Sequence, residues 1–166
     1  MQIDFDVQLS DKDLFRFNMR QAYMGLQGWI SVVFAVVVFG LAGNALGQDA
    51  YGSAVMYVAI GVFVLLYVPL ELQRRSKRTF KTNEAISNKL HYSLAEDAIR
   101  VRQGEETGEL PWNLVYKMVS NKHQILIYSS RINAYVIPRE QVAEQYDAIR
   151  ELAEKALPAN RVKMKG

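Results

Sequence analysis

The 166-residue chain has no cysteine. That excludes disulfides, thiolate nucleophiles and cysteine-based metal sites. Histidine is nearly as scarce. His91 and His123 are the two, and neither stands at metal-ligand spacing from a carboxylate partner. Gly104 and Gly108 are followed by no helix that would make a phosphate-binding loop, and Ser129-Ser130 has no base to activate it. No catalytic constellation emerges, so the expectation is a non-enzyme with no cofactor and no metal. Charge is also missing, but only in places. None falls between Gln21 and Gln48, and none between Ala50 and Leu70; Asp49 alone separates the two runs.

Those runs dominate what is there. A membrane-spanning helix needs about 20 apolar residues at about 1.5 Å rise each. Trp29 to Leu46 and Tyr51 to Leu70 each meet that, and both are apolar on every face. The connection around Asp49 is too short for anything but an antiparallel hairpin. Arg74, Arg75, Lys77, Arg78 and Lys81 follow the second run, Arg16 and Arg20 precede the first, and the hairpin tip has neither Lys nor Arg. The positive-inside rule then predicts a multi-pass protein of the plasma (inner) membrane with both termini in the cytoplasm. The five basic residues after the second run are the expected contacts with the membrane surface. Gly40, Gly43 and Gly47 share one helix face and are the expected packing surface for the second helix. Asp4, Asp6, Asp11 and Asp13 stand where a signal peptide would carry positive charge, so none is expected.

Outside the runs the text is that of a small domain. Ile3, Phe5, Val7 and Leu9 alternate with polar residues, as in a half-buried strand. Ser10 and Asp13 have capping-box spacing ahead of a helix over 11–24. From Lys89 onward short alternating segments follow: Leu90-Tyr92-Leu94, then Ile99-Val101, two strands around Pro111-Trp112, a hairpin at Asn121-Lys122, and a last strand over 134–137. Gly104 to Gly108 reads as a loop. A helix is predicted over Glu140 to Leu157 with Val142, Tyr146, Ile149, Ala153 and Leu157 as its buried stripe; Pro158 stops it. Strands followed by one amphipathic helix make an α+β arrangement.

Three stretches carry a resemblance: LHYSLAEDAIRVR, LPWNLVYKMV with Trp112, and AYVIPREQV, where an Ile-Pro-basic step leads into the final helix. With the preceding hairpin and its basic exit, the chain resembles the YcxB-like family of small bacterial membrane proteins. The resemblance implies a C-terminal pleckstrin-homology-like (PH-like) domain, a bent antiparallel sheet capped by the last helix. It implies no reaction. The family's usual Phe after the Ile-Pro step is replaced here by Gln141-Val142-Ala143.

The expected organisation is therefore a membrane α+β protein. An N-terminal strand and amphipathic helix occupy 1–27, the transmembrane hairpin 28–70, a basic linker helix 71–87, the PH-like domain 88–158, and a disordered tail 159–166. The N-terminal strand should join the domain's sheet, since its alternation demands a partner. Trp112, Tyr146 and Ile149 are the expected domain core. The expected role is a membrane-anchored cytoplasmic binding or regulatory module with the bilayer and a protein or peptide as partners. No nucleic acid is expected: glycine-based binding motifs and interleaved aromatics are missing from the basic stretch. The alternatives are anionic-lipid recognition through Arg74 to Lys81 with Arg100, Arg102, Lys117 and Lys122, or an immunity-type accessory role against a membrane-acting toxin. Homo-oligomerisation stays open.

Overall fold

A computed structural model describes residues 2–164, apart from the side chains of Gln27, Glu84 and Ala85. The elements in order are β1 (Ile3–Val7), α1 (Asp11–Met24), α2 (Leu26–Gly47), α3 (Tyr51–Thr82), α4 (Glu84–Ser87), β2 (Leu90–Leu94), β3 (Ala98–Gln103), β4 (Glu106–Pro111), β5 (Lys117–Ser120), β6 (Gln124–Tyr128), β7 (Ala134–Pro138), α5 (Tyr146–Ala156) and β8 (Val162–Lys163). Two long apolar helices together with a sheet region and a C-terminal helix make an α+β protein. It divides into two compact units. One is Met1–Leu14 with Phe80–Gly166, the other Phe15–Thr79.

The helical unit is built on α2 and α3. The turn between them is closed by Asp49 N donating to Leu46 O at 3.2 Å and Ala50 N to Ala45 O at 2.9 Å. Asp49 takes a left-handed backbone with φ 55°, a conformation Asp tolerates better than most residues. Gly25 ends α1 in extended backbone before α2 begins. Gly28 must be glycine there: a Cβ would lie 2.7 Å from Ala22 O.

The glycine face of α2 is not the packing surface. A Cβ added to Gly40, Gly43 or Gly47 would meet nothing within 4 Å. The buried seam is Ala35, Val38, Ala42 and Ala45, with Ala54 and Gly61 buried on α3. Phe39 lies against Gly61, whose added Cβ would be 2.5 Å from the ring. Alanine is small enough to let two helices approach, and the glycines fall on the other side of α2. The second helix also outruns its apolar stretch. It continues through Pro69 and the basic run as one helix to Thr82, so 71–82 belongs to α3 and only α4 stands separately.

The sheet unit holds two four-stranded sheets, ordered β1-β2-β3-β4 and β7-β6-β5-β8. The N-terminal strand does join: Ile3 to Val7 pair antiparallel with Leu94 to Leu90. Ile3, Phe5 and Val7 are buried and the residues between them exposed. Phe5 stacks on Tyr92, and Tyr92 meets Tyr135 edge-on at 6.4 Å, which ties the first sheet to the second. Burial pushes the Tyr92 phenol well above its usual range.

Three sequence expectations change here. Residues 106–108 belong to β4 and leave only a tight turn at Gly104-Glu105, with Gly104 at φ +57°. The final helix begins at Tyr146, not Glu140. Arg139–Val142 forms a 3-10 turn instead, because Pro138 fixes the entry and Val142 is fully buried. Gln141 is held there by paired bonds with the Gln8 backbone, at 2.9 and 2.8 Å. The tail is not disordered over 159–163. Ala159–Arg161 makes a 3-10 turn, and β8 pairs parallel with β5 through Met118↔Val162 and Val119↔Lys163. Arg161 anchors it by donating to Val115 O at 3.4 Å. Residues 165 and 166 lie outside the described residues.

Candidate functional site

The basic run occupies the last third of α3. Arg74, Arg75, Lys77, Arg78 and Lys81 are all exposed. Ser76 between them is fully buried and accepts a bond from Asn18 Nδ2 of α1 at 2.9 Å. The buried serine fixes which way this turn of α3 faces. Among the described residues Arg74, Arg75, Lys77 and Lys81 have no carboxylate in ion-pair range, so they form a cationic surface.

The other cations read from the sequence are not brought together. Arg100 and Arg102 lie on β3, on the outer face of the first sheet. Lys117 opens β5, and Lys122 stands in the turn beyond its other end. A shallow cleft of about 280 Å³ on that outer face is lined by Gln2, Asp4, His91, Ser93, Arg100, Arg102 and Thr107. Its charges are mostly matched. Asp6 binds Lys89 at 2.7 Å and His91 Nδ1 at 2.8 Å. Arg100 pairs closely with Asp97 and lies 3.6 Å from Glu109. The Lys89 and His91 bonds hold the Asp6 carboxyl below its ordinary range, and bonds from Gln2 and Ser93 do the same for Asp4. His123, by contrast, is exposed in the β5–β6 turn. Among the described residues no group of three His, Asp or Glu is arranged around a metal-sized space.

Trp112, Tyr146 and Ile149 are buried in the sheet unit. The Trp112 indole donates to Ala95 O at 2.8 Å and thereby pins the β2–β3 turn. The Tyr146 hydroxyl bonds Ser120 Oγ at 2.6 Å, and the Arg139 guanidinium lies 3.9 Å over its ring. β6 is buried along its whole length, between β7 and β5.

The α5 face packs inward through Tyr146, Ile149, Leu152 and Ala153, all buried. This stretch, from the end of β2 to α5, is the part with a known counterpart. The family model described as YcxB-like protein matches residues 94–153. The resemblance drawn from Trp112 and the Ile-Pro step is thereby borne out over that stretch. No curated protein and no solved structure matches the chain.

Sequence reasoning missed two features. The alanine seam of α2 was hidden because glycines at the same spacing drew the packing argument. The exposed apolar residues Leu114, Tyr116 and Ile132 read as ordinary strand and turn residues. Their one signal is that no Asp or Glu occurs between Glu109 and Glu140.

Proposed function

We propose that the protein is a membrane-tethered binding module. In this reading α2 and the first part of α3 form a transmembrane hairpin, and the sheet unit is a PH-like domain held at the cytoplasmic leaflet of the plasma membrane. One observation carries it. Trp29, Ile30, Val33, Phe34, Val37, Val55, Val62, Phe63 and Leu66 are all exposed on the two helices. So much outward apolar surface is far more than a water-soluble protein normally presents. The positive residues cluster beyond one end of the pair and Asp49 sits at the other, the pattern of an inward-facing basic end.

The ligand of the domain is a protein or peptide in extended conformation, and binding rather than catalysis is its work. The outer edge of β4 supports this. Among the described residues β4 pairs only with β3, and Glu106, Thr107, Gly108 and Glu109 are exposed. Such an edge accepts an added strand, and its two glutamates favour a basic one.

The missing cysteine makes topology directly testable, since introduced thiols have no background. Asp49→Cys should react with a membrane-impermeant maleimide from outside intact cells, and Ser93→Cys only after permeabilisation. Labelling of both from the same side would sink the hairpin. For the ligand, a photo-crosslinking residue at Thr107 should trap a second polypeptide in native membranes, and adducts confined to the chain itself would refute the edge-strand reading.

A further inference from the structure

Outside α1, α2 and α3, the large apolar side chains exposed among the described residues are three: Leu114 at 60%, Tyr116 at 44% and Ile132 at 71%. All three lie at one end of the second sheet. Tyr116 N donates to Tyr128 O at 2.8 Å, directly before the β6–β7 turn that carries Ile132. That turn is ordered: Ser129 N donates to Asn133 O at 3.1 Å, and Asn133 N to Ser130 Oγ at 3.0 Å. Leu114 ends the 3-10 turn that enters β5.

The same end is cationic. Arg131 precedes Ile132 and is exposed. The Lys117 ammonium lies 5.7 Å from the Tyr116 ring and 4.6 Å from the Tyr128 ring. Arg161 reaches in to Val115 O. No acidic residue occurs anywhere between Glu109 and Glu140, which contains both turns.

We propose that this end of the domain docks on an anionic lipid surface. Leu114, Tyr116 and Ile132 enter the interfacial layer, and Arg131, Lys117 and Arg161 stay among the headgroups. Aliphatic and tyrosine side chains suit that layer, and long basic side chains keep their charge at its polar edge. Each cation near an anionic leaflet raises partitioning by about fivefold. Three side chains are too few for a stable protein interface, which needs about 800 Å² on each side. The site shares no residue with the basic run on α3. The proposal rests on the membrane-tether reading only in that the hairpin keeps the domain near a bilayer.

The test uses the full chain in phosphatidylcholine vesicles with or without phosphatidylglycerol. Ile132→Cys carries an environment-sensitive dye, and lipid-borne nitroxides quench it. Val37→Cys on α2 reports the hairpin, and Glu105→Cys at the β3–β4 turn is a domain control. The expected result is quenching of Val37→Cys in all vesicles, and of Ile132→Cys several-fold more in anionic ones. Reversing both Arg131 and Lys117 to Glu, or raising salt to about 0.5 M, should abolish the Ile132→Cys signal. Quenching at Val37→Cys without any at Ile132→Cys overturns the proposal and leaves the tether standing. Equal quenching at Ile132→Cys in neutral vesicles overturns it too, as does shielding from aqueous iodide without nitroxide quenching, which means that protein covers the tip. No quenching at Val37→Cys defeats the tether itself.

Discussion

Tyr128 and Tyr146 carry the same hydroxyl in opposite circumstances. Tyr146 is bonded to Ser120 at 2.6 Å. Tyr128 is fully buried, and its hydroxyl has no partner among the described residues. An unpaired buried hydroxyl is a liability, whereas a satisfied one contributes about 1 kcal/mol. Tyr146→Phe should therefore destabilise by about 1–2 kcal/mol, and Tyr128→Phe should be neutral or stabilising by up to about 1 kcal/mol. Denaturant titrations in detergent, followed by near-ultraviolet circular dichroism, separate the two. Asp6 makes a pH prediction. Its folded-state pKa lies below the ordinary 3.8, first through the Lys89 bond and then through His91. A depressed carboxylate stabilises above its unfolded pKa and loses that contribution as pH falls through the folded value. The carboxyl carbon resonance of Asp6 should titrate below 3.8, and Lys89→Gln should move its midpoint up towards that value. The two kinds of glycine in the helical unit also diverge. Gly61→Ala forces the Phe39 ring aside and should cost about 1–3 kcal/mol. Gly43→Ala meets open space and should stay within about 0.5 kcal/mol. Unfolding of the hairpin in mixed micelles measures both.

At the scale of elements, much was legible because local chemistry and burial agree. Alternation over 3–9 predicted β1, and its apolar positions are the buried ones. Ser10 and Asp13 form both bonds of the capping box, Asp13 N to Ser10 Oγ at 3.2 Å and Ser10 N to Asp13 Oδ2 at 3.0 Å. Ser10→Ala should cost about 1 kcal/mol, read as faster amide exchange in the first turn of α1. The stripe Val142, Tyr146, Ile149, Ala153 and Leu157 is buried as its spacing predicted. What failed was decided by distant contacts. Good helix formers fill 140–145, yet Gln141 is taken up by Gln8, far away in sequence, and the helix waits for Tyr146. The tail reads as polar and short, but a strand edge on β5 was available to it. Glycine and alanine stripes on α2 have nearly the same period, and only the face that is covered separates them: Ala35, Ala42 and Ala45 are buried, and a Cβ at Gly40, Gly43 or Gly47 meets nothing within 4 Å. The exposed tip at Leu114, Tyr116 and Ile132 was illegible for a similar reason. Which turns share one end of a sheet depends on strand order, and no local pattern states it.

For the whole molecule, the chain crosses between units twice. Val7 pairs with Leu90, and all of α1, α2 and α3 lies between them in the sequence. A chain made from its N-terminus therefore releases β1 first and supplies β1's partner only after both long apolar helices have emerged. Contacts so far apart form slowly. During that wait the edge of β1 is open, and the helices have already met whatever solvent they will occupy. In the membrane-tether reading, delivery to the bilayer precedes closure of the first sheet, and a ribosome-stalled chain ending before Leu90 should be membrane-associated yet lack a protected β1. The sheet unit is in this sense a clasp that can fasten only after both long helices have been made.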